Sequence, residues 1–243
     1  MSENHDHASA AGSRSAGPKA GQDDGHGHSA PPRARPGLTP QAIVTAGRRL
    51  IEREGLDALS MRAVAADLGT AATSLYRHVA DRDALLLAIL EQIAEGLPVD
   101  VPGRTPKARL RRRWLGAHSY MAGYVWVLHI LIRGETVAET AFRFADACLA
   151  DFMAAGLPPA RAMRAFLACW HLTIGELLDR HPLSPPKEPS QRQRAIQRID
   201  ARELPALARV SAALPPPGQR RDEFPDVLET LLSGLLAPSG RAR

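Results

Sequence analysis

Two cysteines in 243 residues, at positions 148 and 169, provide no paired spacing for a zinc or redox motif. Each falls inside a helical apolar pattern, so both are expected as buried thiols. Long apolar runs are missing too. The longest, Tyr120 to Ile132, contains His129 and ends at Arg133, well short of the ~20 residues that span a bilayer. The amino terminus lacks the apolar core of a secretory signal, which makes the cytoplasm the expected location and leaves no membrane partner. Residues 37 onward hold no nucleophile elbow, phosphate-cradling glycine loop or metal-spaced histidine pair. The expectation is therefore no enzyme, no cofactor and no metal site in the folded part. The charge excess of +5 suits an anionic partner but is modest over this length.

What is present centres on Ser60 to His78, SMRAVAADLGTAATSLYRH. Ser60 can cap a helix whose apolar face is Met61, Val64, Ala65 and Leu68, and Gly69 ends it. A second segment, Thr70 to Val79, turns Leu75 and Val79 back inward. Small Ala65, then Gly69, then Leu75 provide the close approach, the turn and the anchor of a helix-turn-helix. Upstream, Thr39 and Pro40 open a helix with Ile43, Val44, Gly47, Leu50 and Ile51 on its inner face, stopped by Gly55. Downstream, Asp81 caps a helix from Arg82 to about Gly96 with a stripe of Leu85, Leu86, Ile89, Leu90 and Ile93.

Pro98, Pro102 and Gly103 mark a break, after which every segment reads as helix. Pro106 to Met121 carries a basic cluster, Lys107, Arg109, Arg111, Arg112 and Arg113, read as a solvated face. Tyr124 to Ile132 is apolar all round, and Glu135 to Ala155 is amphipathic and ends at Gly156. The helix opened by Pro158 or Pro159 has two apolar faces. Met163, Phe166, Leu167, Trp170, Ile174 and Leu177 form the larger, assigned to the core; Ala165, Ala168, Leu172 and Gly175 form a smaller one, assigned to an interface. His181 to Gly218 reads as a peripheral, proline-bracketed helical piece, and Asp222 to Leu236 as a final amphipathic helix. Residues 1–36, rich in Gly, Ala, Ser, Pro and His, are expected as a disordered tail. Within it, His5 with His7 and His26 with His28 offer metal-binding pairs, and Arg33 and Arg35 a basic arm.

Leu75, Tyr76, Arg77, His78 and Val79, followed by Asp81, Arg82 and Ala84 to Leu86, resemble the signature of the TetR family of bacterial one-component regulators. The likeness covers residues 39 to 93. A looser one, carried by Trp170 to Gly175 after Gly156, Leu157 and Pro158, and by Phe224 to Leu235, is to the core domain of the tetracycline-repressor branch. The resemblance implies an all-α fold. A three-helix DNA-binding head with its linking fourth helix would occupy 37–97, and a helical ligand-binding and dimerisation domain 104–237. It puts Tyr76 and His78 on phosphates of double-stranded DNA, Ala72, Thr73 and Ser74 at base edges, and Arg82 near the backbone, with Arg62 a further phosphate neighbour. Pairing with a second copy would involve Ala165, Ala168, Leu172, Gly175, Val227, Leu231 and Leu235. Polar or aromatic groups inside the apolar helices, Trp114, His118, Trp126, His129, Phe142 and Trp170, are the candidates to meet a partly apolar small-molecule effector. The implied function is a homodimeric, ligand-responsive repressor on a palindromic operator. A constitutive architectural DNA-binding protein, or a metal-responsive regulator using the histidine tail, are the alternatives.

Overall fold

Side-chain caps set where the first helices begin. Thr39 Oγ1 accepts the Ala42 amide at 3.1 Å, Ser60 Oγ that of Ala63 at 3.1 Å, and Asp81 Oδ1 that of Ala84 at 2.8 Å. Each satisfies a donor that a helix start leaves unpaired. They open α1 (Pro40–Glu54), α2 (Met61–Asp67) and α4 (Arg82–Ala94). The one-turn α3 (Ala72–Leu75) lies between the last two. The expected helix over 70–79 is thus shorter, because the His78 and Val79 amides both return to the Leu75 carbonyl and close a turn.

The computed structural model describes residues 38–133, 136–180, 191–213 and 222–237. The histidine pairs and Arg33 and Arg35 of the tail, and the prolines at 182–189 and 215–217, lie outside them. All described elements are helices and turns, with no strand among the described residues. After α4 come α5 (Pro106–Met121), α6 (Val125–Leu131), α7 (Phe142–Ala154) and α8 (Pro159–Arg180). The single helical piece expected near 190–213 is two, α9 (Gln191–Gln197) and α10 (Pro205–Ala213), and α11 (Phe224–Leu235) closes the order.

Two apolar clusters hold all of these helices except α9 and α10. The first joins Ile43, Leu50, Val64 and Leu75 of the head to Leu85, Ile89 and Ile93 of α4, and continues to Val127 and Leu128 of α6. Gly47 lets α1 and α4 approach closely: a Cβ there would fall 2.9 Å from Ile89 Cδ1. The second cluster gathers α5, α7, α8 and α11 around Trp114, Phe152, Cys169 and Phe224. Both cysteines are buried and unpaired, as their sequence pattern implied.

On α8 the division of faces differs from expectation. The buried line is Ala162, Ala165, Cys169, Thr173 and Leu177, whereas Met163 and Leu167 are 45% and 40% exposed. Ala165 is therefore a core residue and not part of an outer interface. Periodicity identifies two apolar faces without ranking them, and the smaller side chains point inward because they let α8 lie close against its neighbours.

The basic cluster of α5 also departs from a solvated face. Arg113 is buried and donates from Nη2 to Asp151 Oδ2 at 2.9 Å and from Nη1 to the Val99 carbonyl at 2.7 Å. Arg109 Nε reaches Asp151 Oδ1 at 2.7 Å. Arg112 donates to the Pro102 carbonyl, and Lys107 and Arg111 both pair with Glu229 of α11. Lys107, donating to Glu229, holds that carboxyl below the usual range. These cations serve to tie α5 to its neighbours.

Candidate nucleic-acid interface and ligand cavity

Between α2 and α3 the chain makes a Schellman turn. The Thr70 amide returns to the Ala65 carbonyl at 2.9 Å and the Gly69 amide to Ala66 at 3.1 Å, with Gly69 at φ +63°. A glycine is favoured at that angle because a Cβ would be strained. Leu75 is fully buried and pins the other end of the turn. Thr73 between these fixed points, and Tyr76, Arg77 and His78 just beyond Leu75, are all exposed, Tyr76 by 53%, and Arg62 is exposed on α2. Ser74 is half-buried, and Ala72 packs its methyl against the first core. The loop therefore presents a hydroxyl, a phenol, a guanidinium and an imidazole within two turns, a donor set suited to phosphates and base edges.

Arg82, 40% exposed at its side chain, also has a role inside the head. Its Nε donates to the Leu59 carbonyl at 2.9 Å and its Nη2 to Leu56 at 3.4 Å, so it clamps the turn (Leu56–Ala58) before α2. An arginine at a helix start suggests an outward contact by sequence alone, but here partly buried carbonyls take two of its donors.

Behind the head lies a cavity of about 420 Å³. From α4 it takes Leu90, Ile93 and Ala94; from α5 and α6, Met121, Val127 and Leu131. Thr136, Val137, Ala138 and Ala141 form its rim, and Phe142, Phe144, Ala145, Phe166 and Trp170 its wall on α7 and α8. Of the six sequence candidates, Phe142 and Trp170 line it. Trp114 does not: it is fully buried behind the wall, edge-on to Phe144 at 5.2 Å and tilted on Phe166 at 5.6 Å. His118 is bonded to Glu176 and stacked on Phe224 with ring centroids 3.8 Å apart, a structural tie between α5, α8 and α11. Trp126 packs against the first core and His129 is half-buried, both outside the lining. A histidine in an apolar run marks an anomaly in the pattern, and the pattern carries no information on which void it meets.

The sequence marks α4 as the helix that links the head to the rest, but its share of the cavity wall was not visible there. Leu85 and Ile89 pack in the head while Leu90, Ile93 and Ala94, farther along the helix, wall the cavity. Glu91 lies between them. Its carboxylate accepts the Glu139 amide at 2.7 Å and the Thr140 amide at 2.9 Å, holding the rim turn (Glu139–Ala141) to α4. The helix expected from Glu135, a position outside the described residues, begins at Phe142, directly after that turn. Burial opposes ionisation of Glu91, but the hydrogen bonds from Thr140 and Glu139 outweigh it and hold the carboxyl below its usual range. Tyr120 adds a second tie by donating to the Ile93 carbonyl at 2.8 Å, and desolvation pushes its hydroxyl up to about 12.

Comparison with known proteins assigns both regions. Residues 43–89 match the family described as bacterial regulatory proteins of the TetR family, and 102–238 match the tetracycline repressor-like C-terminal domain. The transcriptional repressor DrrR1 of Streptomyces coeruleorubidus is 44% identical over 59 residues, 24% of this chain and 22% of that relative's length. A helix-turn-helix transcriptional regulator of Saccharopolyspora erythraea is 27% identical over 212 residues, 86% of this chain and 89% of that protein. The TetR family protein ActR of Streptomyces coelicolor, solved in complex with actinorhodin, shares the fold with a TM-score of 0.67 at 23% identity, covering 85% of this chain and 99% of that one. No helix among the described residues is long and apolar enough to cross a membrane. With a head and a C-terminal domain that both match, this chain belongs to the TetR family of bacterial transcriptional regulators, DNA-binding proteins and not enzymes.

Proposed function

We propose that the chain is a homodimeric repressor that binds an approximately palindromic operator and is released by a small molecule entering the cavity. One observation carries this reading: α4 is at once a packing partner of the head and a wall of the cavity. A ligand that favours one position of Leu90, Ile93 and Ala94 thereby favours one position of the head, and a coupling of about 1–3 kcal/mol is typical of such linkage. Tyr76 and His78 would fix register on phosphates, with Thr73 and Ser74 at base edges and Arg62 beside the backbone. Ala72, turned into the core, contributes packing.

The outer faces of α8 and α11 support dimerisation. Val227 is 45% exposed, Ala168, Leu172, Leu231 and Leu235 are half-buried, and open space surrounds Gly175 and Gly234, so that a second copy can approach closely. The name of the relative DrrR1 supports repression, and the ligand-bound ActR supports a small-molecule effector. The test is selection of bound duplexes from a random DNA library at stated salt, with a Tyr76→Phe/His78→Ala variant as control. Wild type is expected to recover a two-fold symmetric sequence with half-sites about 34–36 Å apart, and the variant none. Recovery of no preferred sequence by wild type would favour an architectural DNA-binding protein.

A further inference from the structure

We propose that the cavity takes an uncharged, flat aromatic ligand and excludes carboxylates, ammonium ions and metal-chelated molecules. This rests on the reading of the cavity as the effector site. Among the described residues that line it, only the Thr136 hydroxyl and the Trp170 indole carry a polar atom, and none is ionisable. Several charged groups on the helices that carry the lining have partners of their own. Glu91 holds two backbone amides, His118 is bonded to Glu176, and Arg109 and Arg113 hold Asp151. A charged ligand would leave water without meeting a counter-charge, and that desolvation is not offset. A chelated metal would find no carboxylate or imidazole in the lining, and no cluster of three His, Cys, Asp or Glu occurs among the described residues.

Flatness follows from the walls. Phe142, Phe144, Phe166 and Trp170 line the cavity together with Leu90 and Ile93, so it combines aromatic surface from α7 and α8 with aliphatic surface from α4. Trp114 supports Phe144 and Phe166 from behind, which restricts those rings to fixed orientations. Fixed ring faces favour a ligand that stacks on them. Thr136 supplies one hydroxyl, able to donate and accept, at the rim. A volume of about 420 Å³ lies within the range of small-molecule sites.

Two probes that share one ring system isolate the charge: N-phenyl-1-naphthylamine, which is neutral, and 8-anilinonaphthalene-1-sulfonate, which adds a sulfonate. Each is titrated by fluorescence into the full chain, and into Ala145→Trp, which fills the cavity. Ala141→Phe at the rim serves if the first variant does not fold by circular dichroism. The neutral probe is expected to bind wild type and lose that binding in the filled variant. The sulfonate component sensitive to filling should be roughly a hundredfold weaker, although the net charge of +5 attracts anions to the surface. Equal filling-sensitive binding of both probes would overturn the exclusion of charge. Neutral-probe binding that is absent, or indifferent to filling, would overturn the site. Operator release is measured separately: a neutral probe that binds in the cavity without releasing DNA upholds the ligand class and refutes the effector reading.

Discussion

The head and the helices behind it are held by interactions of different range. In the head, α1, α2 and α4 each begin on a cap three residues away, α3 has none, and the longer ties of Arg82 to Leu59 and Leu56 span only 23 and 26 residues around an apolar interior. Behind it only α5 has such a cap among helices whose starts can be compared with α6, α7 and α11, which have none. Their order comes from ties across the chain: Arg109 to Asp151 over 42 residues, Arg113 to Asp151 over 38, and Lys107 to Ser233 over 126. A region built on local rules keeps its shape when its partners move, as a reading head must. One built on distant contacts can rearrange around a ligand.

The largest expected effect tests the distant contacts. Asp151→Ala would strand the buried Arg113 and is expected to cost about 3–5 kcal/mol in urea denaturation. Asp151→Leu combined with Arg113→Met should recover most of that loss, because the double change removes both buried charges. Should the double variant be as unstable as the single, packing and not the stranded charge would account for the loss, and the contrast between the two regions would weaken. A smaller effect tests the local rule. Ser60→Ala is expected to cost about 1 kcal/mol and to raise amide exchange in α2 while α7 and α8 stay protected. Equal deprotection of all three would show that the head does not stand on its own caps.

The same contrast explains what the sequence discloses. Thr39, Ser60, Gly69 and Asp81 act on amides within five residues, so a linear reading finds them, and the exposed Thr73, Tyr76 and His78 are placed by the turn that these residues define. Arg109 and Arg113 read as solvent-facing because their common partner lies about 40 residues downstream. A cavity is set by what fails to fill a space between four or five elements, and no spacing rule reports that. Hence Phe142 and Trp170 are identified and Leu90, Ile93, Phe144 and Phe166 are not. On α8 the period gave both faces, and only the neighbours decide that Ala165 goes in and Leu167 stays out.

The smallest expected effect lies where the regions meet. Glu91 binds the rim turn to α4 through two amides, and its carboxyl is held below the usual carboxylate range. A group with a depressed folded pKa contributes stability that is present above its unfolded value and is lost as pH falls through the folded one. Glu91→Gln keeps a carbonyl acceptor but has no charge and does not titrate. At about pH 7 the variant is expected to be less stable by roughly 0.5–1 kcal/mol. On acidification the gap should close, because wild type loses the contribution that the variant never had. Denaturation of both proteins from about pH 7 to about pH 3 checks this. A gap that stays constant would mean that charge plays no part, leaving the burial of Ala138 and the packing of Ala141 to bind the turn to α4. The junction would then be as apolar as the head, and the rearranging region would begin beyond the cavity rim and not at it.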